Sequence, residues 1–122
     1  MAWKFKPGFP IVPQIIDRLR TEIISGVYPG GVPFPTVRTL AATAAVNPNT
    51  MQKAIGALED EGLIVTHGTS GRFVTDDPKI IADAKERTVS VFVKSYIKEA
   101  KALGITKDEL YDRITKGWQE NE

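Results

Sequence analysis

Cysteine is missing from all 122 residues, and its absence rules out disulfide scaffolds, thiolate metal sites and cysteine nucleophiles together. A cysteine-free chain also fits a reducing cytoplasm. Histidine occurs once, at His67, with no serine, aspartate or second histidine set beside it in a recognisable motif. Acid–base catalysis has no constellation to work from, so no catalytic residue, metal site or cofactor is expected. No apolar run approaches the ~20 residues that a membrane span requires. The opening Met1-Ala2-Trp3-Lys4-Phe5-Lys6 lacks the long apolar core of a signal peptide. The expected location is cytoplasmic, with no membrane partner. An excess of one charge is lacking too, since the formal net charge is +1. Residues 1–75 hold 7 Lys/Arg against 5 Asp/Glu, and residues 76–122 hold 9 against 10. Any grip on nucleic acid must come from placed charges and not from bulk charge.

What is present is an ordinary globular composition, 42% hydrophobic and 25% charged. The length fits one small domain with an appendage. Residues 1–10, rich in aromatics, proline and glycine, read as an extended arm. Ile15, Ile16, Leu19, Ile23 and Ile24 recur at helical spacing, with Asp17, Arg18, Arg20 and Glu22 opposite. This predicts a first helix over residues 12–25, ended by Gly26, and a loop at Pro29-Gly30-Gly31. Thr36 is placed to cap a second helix with Leu40, Ala41 and Ala44 inward, and Ala45-Val46 form a tight turn in which Val46 is buried.

The most informative stretch follows, Asn47-Pro48-Asn49-Thr50-Met51-Gln52-Lys53-Ala54. Asn47 can cap a helix through its side-chain oxygen, and Pro48 suits the first helical position, where no N–H is needed. Asn49, Gln52 and Lys53 then crowd the first turns with groups that bond base edges and phosphates, while Ile55, Leu58 and Leu63 face inward. A short helix, a tight turn and a longer helix with a polar tip form a helix-turn-helix. After Gly62, two β-rich runs flank His67-Gly68-Thr69-Ser70-Gly71-Arg72, which predicts a hairpin wing. Gly68-Thr69-Ser70-Gly71 has neither the lysine nor the following helix of a phosphate loop, so it reads as the wing tip.

Asp76-Asp77-Pro78 breaks the chain, and residues 79–103 contain no proline or glycine, which predicts a long helix. Ile81, Ala84, Thr88, Val91, Phe92, Ser95 and Leu103 fall near one stripe of it. Gly104 ends it. Thr106 and Glu109 form a capping box, and Ile105 with Leu110 a hydrophobic staple, for a last helix carrying Leu110, Ile114 and Trp118. Two such helices cannot bury both apolar faces on each other, so a second copy of the chain is the expected partner. Phe92, Tyr96, Tyr111 and Trp118 read as dimer core in preference to a ligand pocket. The expected fold is mainly α, a winged helix-turn-helix of three helices plus a β-hairpin wing over residues 1–77, followed by a two-helix dimerisation tail over 78–122.

Taken in order, Pro10-Ile11-Val12 with Gln14-Ile15, Ser25-Gly26, Pro29-Gly30, Pro35-Thr36-Val37-Arg38-Thr39-Leu40-Ala41, Asn47-Pro48-Asn49-Thr50, Leu58-Glu59, Glu61-Gly62-Leu63-Ile64 and Gly71-Arg72-Phe73-Val74 resemble the GntR family of bacterial transcriptional regulators. Val46-Asn47-Pro48-Asn49-Thr50 and the short tail with Leu103-Gly104-Ile105-Thr106 resemble its YtrA-like branch. The resemblance implies a dimeric winged-helix repressor on a double-stranded operator, with a transporter operon as its suggested target. It implies that Arg38 reaches the DNA backbone or a base, that Asn49, Thr50 and Lys53 lie at the reading tip beside Gln52, and that His67 and Gly68 stand where a wing enters the minor groove. This chain departs from the family pattern in three respects, at four positions. Pro48 and Gln52 stand where many members carry Arg, Thr39 where Glu is usual, and Ala45 where Gly is usual. A small-molecule effector, unidentified, would have to bind between the tail helices or at the dimer interface. The competing reading is a winged-helix protein-interaction module without DNA binding, which the modest net charge leaves open.

Overall fold

The computed structural model describes residues 2–121, which form five α-helices and one two-stranded antiparallel sheet. The order is α1 (Ile11–Ile24), α2 (Val37–Ala44), α3 (Pro48–Asp60), β1 (Ile64–Thr66), a single 3-10 turn (Gly68–Ser70), β2 (Arg72–Val74), α4 (Pro78–Ala102) and α5 (Lys107–Glu120). The chain resolves into two compact units, Met1–Lys85 and Glu86–Glu122.

The first unit is a winged helix-turn-helix. Its core is built from one face of each early helix: Ile15, Leu19 and Ile23 from α1, Leu40, Ala41 and Ala44 from α2, and Met51, Ala54, Ile55 and Leu58 from α3. Leu63, Ile64 and Val74 close it from the sheet, and Ala84 adds the first turns of α4. The starts of α2 and α3 are explained by local chemistry. Thr36 Oγ1 accepts the Thr39 N–H at 3.1 Å, and Thr39 Oγ1 in turn accepts the Thr36 hydroxyl at 2.9 Å. A hydroxyl thus occupies the place where a capping box would use a glutamate, and the reciprocal bond to the Thr36 backbone is given up. Asn47 Oδ1 accepts the Asn49 N–H at 2.7 Å, with Pro48 in the first turn. A salt bridge fixes α1 against the end of α3, where Arg20 donates to both oxygens of Glu61, at 2.9 and 2.6 Å, and to Asp17 at 2.9 Å. The bonds to Glu61 are the main reason the Arg20 pKa is raised.

Ala45 takes the left-handed conformation, φ 59° and ψ 49°, and is the one non-glycine residue with positive φ among those described. The turn needs it, because the Ala45 N–H closes on Ala41 and Ala42 at the end of α2 and the next residues must reverse into α3. A Cβ in this region costs on the order of 1 kcal/mol. Ala45→Gly is expected to stabilise the first unit by about 1 kcal/mol, raising its melting temperature by roughly 4–8 °C. A thermal melt in which the variant unfolds no later than wild type would refute this. Val46 is half-buried against the core, less enclosed than its expected place between the two helices.

The sheet pairs Ile64 with Val74, Val65 with Phe73 and Thr66 with Arg72. The segment before α2 lines the other edge of β2: the Phe34 N–H donates to Arg72 O at 2.8 Å and the Val74 N–H to Val32 O at 2.9 Å. The sequence reading assigns no strand to this third, short rung. Pro33 and Pro35 on either side of Phe34 hide it, since neither can donate to a ladder.

Residues 2–10 carry no regular structure, yet they are held down. Trp3 and Phe5 are half-buried against the core, the Trp3 N–H reaches Ala44 O at 3.4 Å, and the Arg18 guanidinium lies 4.0 Å from the Trp3 ring centroid. Gln14 Oε1 accepts the Lys6 N–H at 2.8 Å, and its amide donates to the carbonyls of Lys6, Phe9 and Pro10.

In the second unit, Gly104 is left-handed at φ +76° and ends α4, and Thr106 with Glu109 makes the full capping box of α5. Phe92, Val93, Tyr96 and Ile97 of α4 and Leu110, Arg113, Ile114 and Trp118 of α5 line a cleft of about 780 Å³. The face of α4 turned to this cleft differs from the expected stripe. Phe92 belongs to both, but Val91 and Leu103 are 70% and 77% exposed, and Ala100 is the one buried residue among those described in the unit.

Candidate nucleic-acid interface

Helical periodicity sorts the residues of α3. Met51, Ala54, Ile55 and Leu58 are buried, so Asn49, Gln52 and Lys53, at i, i+3 and i+4, share the outer face of the first two turns and are exposed. Thr50 is half-buried beside them. Because the Asn47 side chain satisfies the Asn49 N–H, the Asn49 amide is left without an intramolecular partner among the described residues. Lys53 has no ion-pair partner among them either. Arg38 is the second residue of α2, exposed and likewise unpaired among the described residues. These five residues therefore offer donors, acceptors and two uncommitted cations at the starts of two consecutive helices.

His67 and Gly68 stand at the tip of the hairpin and are exposed. The His67 N–H bonds Gly71 O at 3.0 Å, its ring leans on Phe73 at 5.2 Å between centroids, and Gly68 has φ +51°, a conformation suited to glycine. A cavity of about 360 Å³ lies along the wing between Gly31, Val65, His67, Phe73, Val74, Thr75 and Asp76. No group of three or more His, Asp or Glu side chains among the described residues is arranged to hold a metal ion.

One residue that tunes this surface was not legible in the sequence. Glu59, in the last turn of α3, takes one partner from each wing strand: its Oε2 accepts the Thr66 hydroxyl at 2.8 Å and its Oε1 accepts Arg72 Nε at 3.1 Å. Thr66 and Arg72 face each other in the register, so a single carboxylate ties both strands of the wing to the helix that carries Asn49, Gln52 and Lys53. Such a charge-assisted clamp aims the wing from a rigid element. No local spacing signals it, because the partners lie seven and thirteen residues away and meet only after the chain has turned at Gly62. No helix among the described residues is long and apolar enough to cross a membrane.

Residues 12–74 match the family described as bacterial regulatory proteins, gntR family. The HTH-type transcriptional regulator YhcF of Bacillus subtilis is 29% identical over 111 residues, covering 91% of this chain and 92% of YhcF. The HTH-type transcriptional repressor YtrA of the same bacterium is 31% identical over 106 residues, covering 86% of this chain and 82% of YtrA. A GntR family transcriptional regulator from Listeria monocytogenes has a closely similar structure, with a TM-score of 0.88, 32% identity, and coverage of 92% of this chain and 98% of that one. The AraR DNA-binding domain, solved in complex with operator ORX1, matches 62% of this chain and 95% of its own at a TM-score of 0.55 and 25% identity.

Proposed function

Because the chain belongs to the GntR family and is a DNA-binding transcriptional regulator of that family, we propose that it is a dimeric repressor of an inverted-repeat operator. The observation that carries this reading is the tip of α3, where a capped helix start leaves Asn49, Gln52 and Lys53 exposed together over a fully buried opposite face. In the proposed complex α3 lies in the major groove, with Asn49 and Gln52 on base edges. Lys53, Thr50 and Arg38 bond phosphates, and the wing brings His67 and Gly68 to the adjacent minor groove. Repression follows by blocking polymerase at the promoter, in keeping with the named role of YtrA as a repressor. Resemblance to that branch points to a transporter operon as the regulated target.

Dimerisation is assigned to α4 and α5. Within the second unit Phe92, Tyr96, Ile114 and Trp118 are 45%, 63%, 52% and 69% exposed in the single chain, an apolar concentration of the kind that marks an interface. Two reading heads joined this way meet half-sites about 10 bp or a multiple of it apart. An effector bound in the cleft between α4 and α5 would act by changing the spacing of the two heads.

The deciding experiment is selection from random duplexes followed by titration of the winners against salt. The expected result is an enriched inverted repeat, bound by two chains, whose affinity falls steeply as salt rises. Absence of any enriched sequence, with the protein dimeric, would count against the operator reading.

A further inference from the structure

Charge accounting over residues 1–75 leaves two cations that the interface described above does not use. Of the seven Lys and Arg in residues 1–75, Arg18 pairs with Glu22, Arg20 with Asp17 and Glu61, and Arg72 with Glu59. Arg38 and Lys53 already belong to the proposed DNA face. Lys4 and Lys6 remain, both exposed and neither with an ion-pair partner among the described residues.

Their setting is built and not incidental. The arm alternates, so that Trp3 and Phe5 turn into the protein while Lys4 and Lys6 turn out. Trp3 is held at Ala44, immediately before the left-handed Ala45 that leads into Asn47 and the reading helix. Lys6 is held at Gln14 in the first turn of α1. The Lys4 backbone is therefore one residue, about 3.8 Å along the chain, from a point tied to the helix-turn-helix turn. A flexible tail would lose much of any electrostatic gain to ordering, but this arm is already ordered.

We infer that Lys4 and Lys6 form a second phosphate-binding element, a pinned basic arm that grips the backbone beside the groove occupied by α3. Lysine suits the task, since a compact point charge on a long stem holds a phosphate without demanding a base. The inference rests on the DNA-reading assignment made above, and the test separates the two.

The full-length K4A/K6A double variant is compared with wild type on the selected operator and on an unrelated duplex, across a salt series. The expected loss is on the order of tenfold to a hundredfold at moderate salt, with the slope of log affinity against log salt reduced by about one per lysine in each half-site. The loss is expected to be equal on both duplexes, to leave the melting temperature unchanged, and to be restored by K4R/K6R. Wild-type affinity and slope in K4A/K6A would overturn the inference while leaving the reading of α3 intact. A loss confined to the operator, or one that arginine does not restore, would overturn it as well. Failure of the wild type to prefer any duplex would instead undercut the DNA-reading assignment itself.

Discussion

Trp118→Glu is expected to weaken operator binding by about a hundredfold or more while each DNA-reading unit stays folded and keeps its affinity for an isolated half-site. Linking two readers makes the second binding event intramolecular, a gain of about 10²–10⁴ in apparent affinity that needs no new contact with DNA. Trp118 is 69% exposed on α5 and faces the cleft shared with Phe92 and Tyr96, so its ring is available to a second chain. A carboxylate there would have to be desolvated in an apolar interface or prevent it from closing. Sedimentation should show a monomer at concentrations where the wild type is dimeric. Ile114→Glu, one turn earlier on the same face, is expected to do the same. If both variants remain dimers with unaltered operator affinity, the tail is not where the chains join.

Asn49→Ala is expected to erase base preference at one position in each half-site. A bidentate amide–adenine contact discriminates by about 1–3 kcal/mol, and a two-fold complex counts it twice, so the penalty for the wrong base should drop by about 2–6 kcal/mol over the full operator. The substitution is clean in structural terms. The Asn49 backbone N–H keeps its bond to Asn47 Oδ1, and the amide that is removed is exposed. Repeating the selection with the variant protein reads the outcome directly. An unchanged preference profile would move the reading role to Gln52 or to another residue of the tip.

How much of this was open to sequence reasoning depends on the range of the interactions. Asn47-Pro48, the Thr106–Glu109 box and the left-handed Gly104 are settled by neighbours within a few residues, and each was readable from residue chemistry alone. The buried face of α3 was readable too, because Ile55 and Leu58 repeat at helical spacing. The Glu59 clamp was not, since it joins a helix to two strands through side chains that only the folded hairpin brings together. The rung at Val32 and Phe34 was hidden by its prolines. On α4 a single stripe was the wrong description. That helix gives Ala84 to the core of the first unit and Phe92, Val93, Tyr96 and Ile97 to the cleft of the second, so one apolar periodicity cannot fit its 25 residues. The arm was read as extended, and its tie to Ala44 could not be seen without the end of α2.

The left-handed Ala45 also speaks to the history of the chain. Every alanine codon becomes a glycine codon by a single base change, so the relief of that turn lies one mutational step away and has not been taken. An expected gain left unused at so accessible a step is in keeping with the general rule that proteins are selected to clear a stability threshold and not to maximise the margin above it. The same turn marks where an engineer could add robustness before introducing costlier changes at the tip of α3.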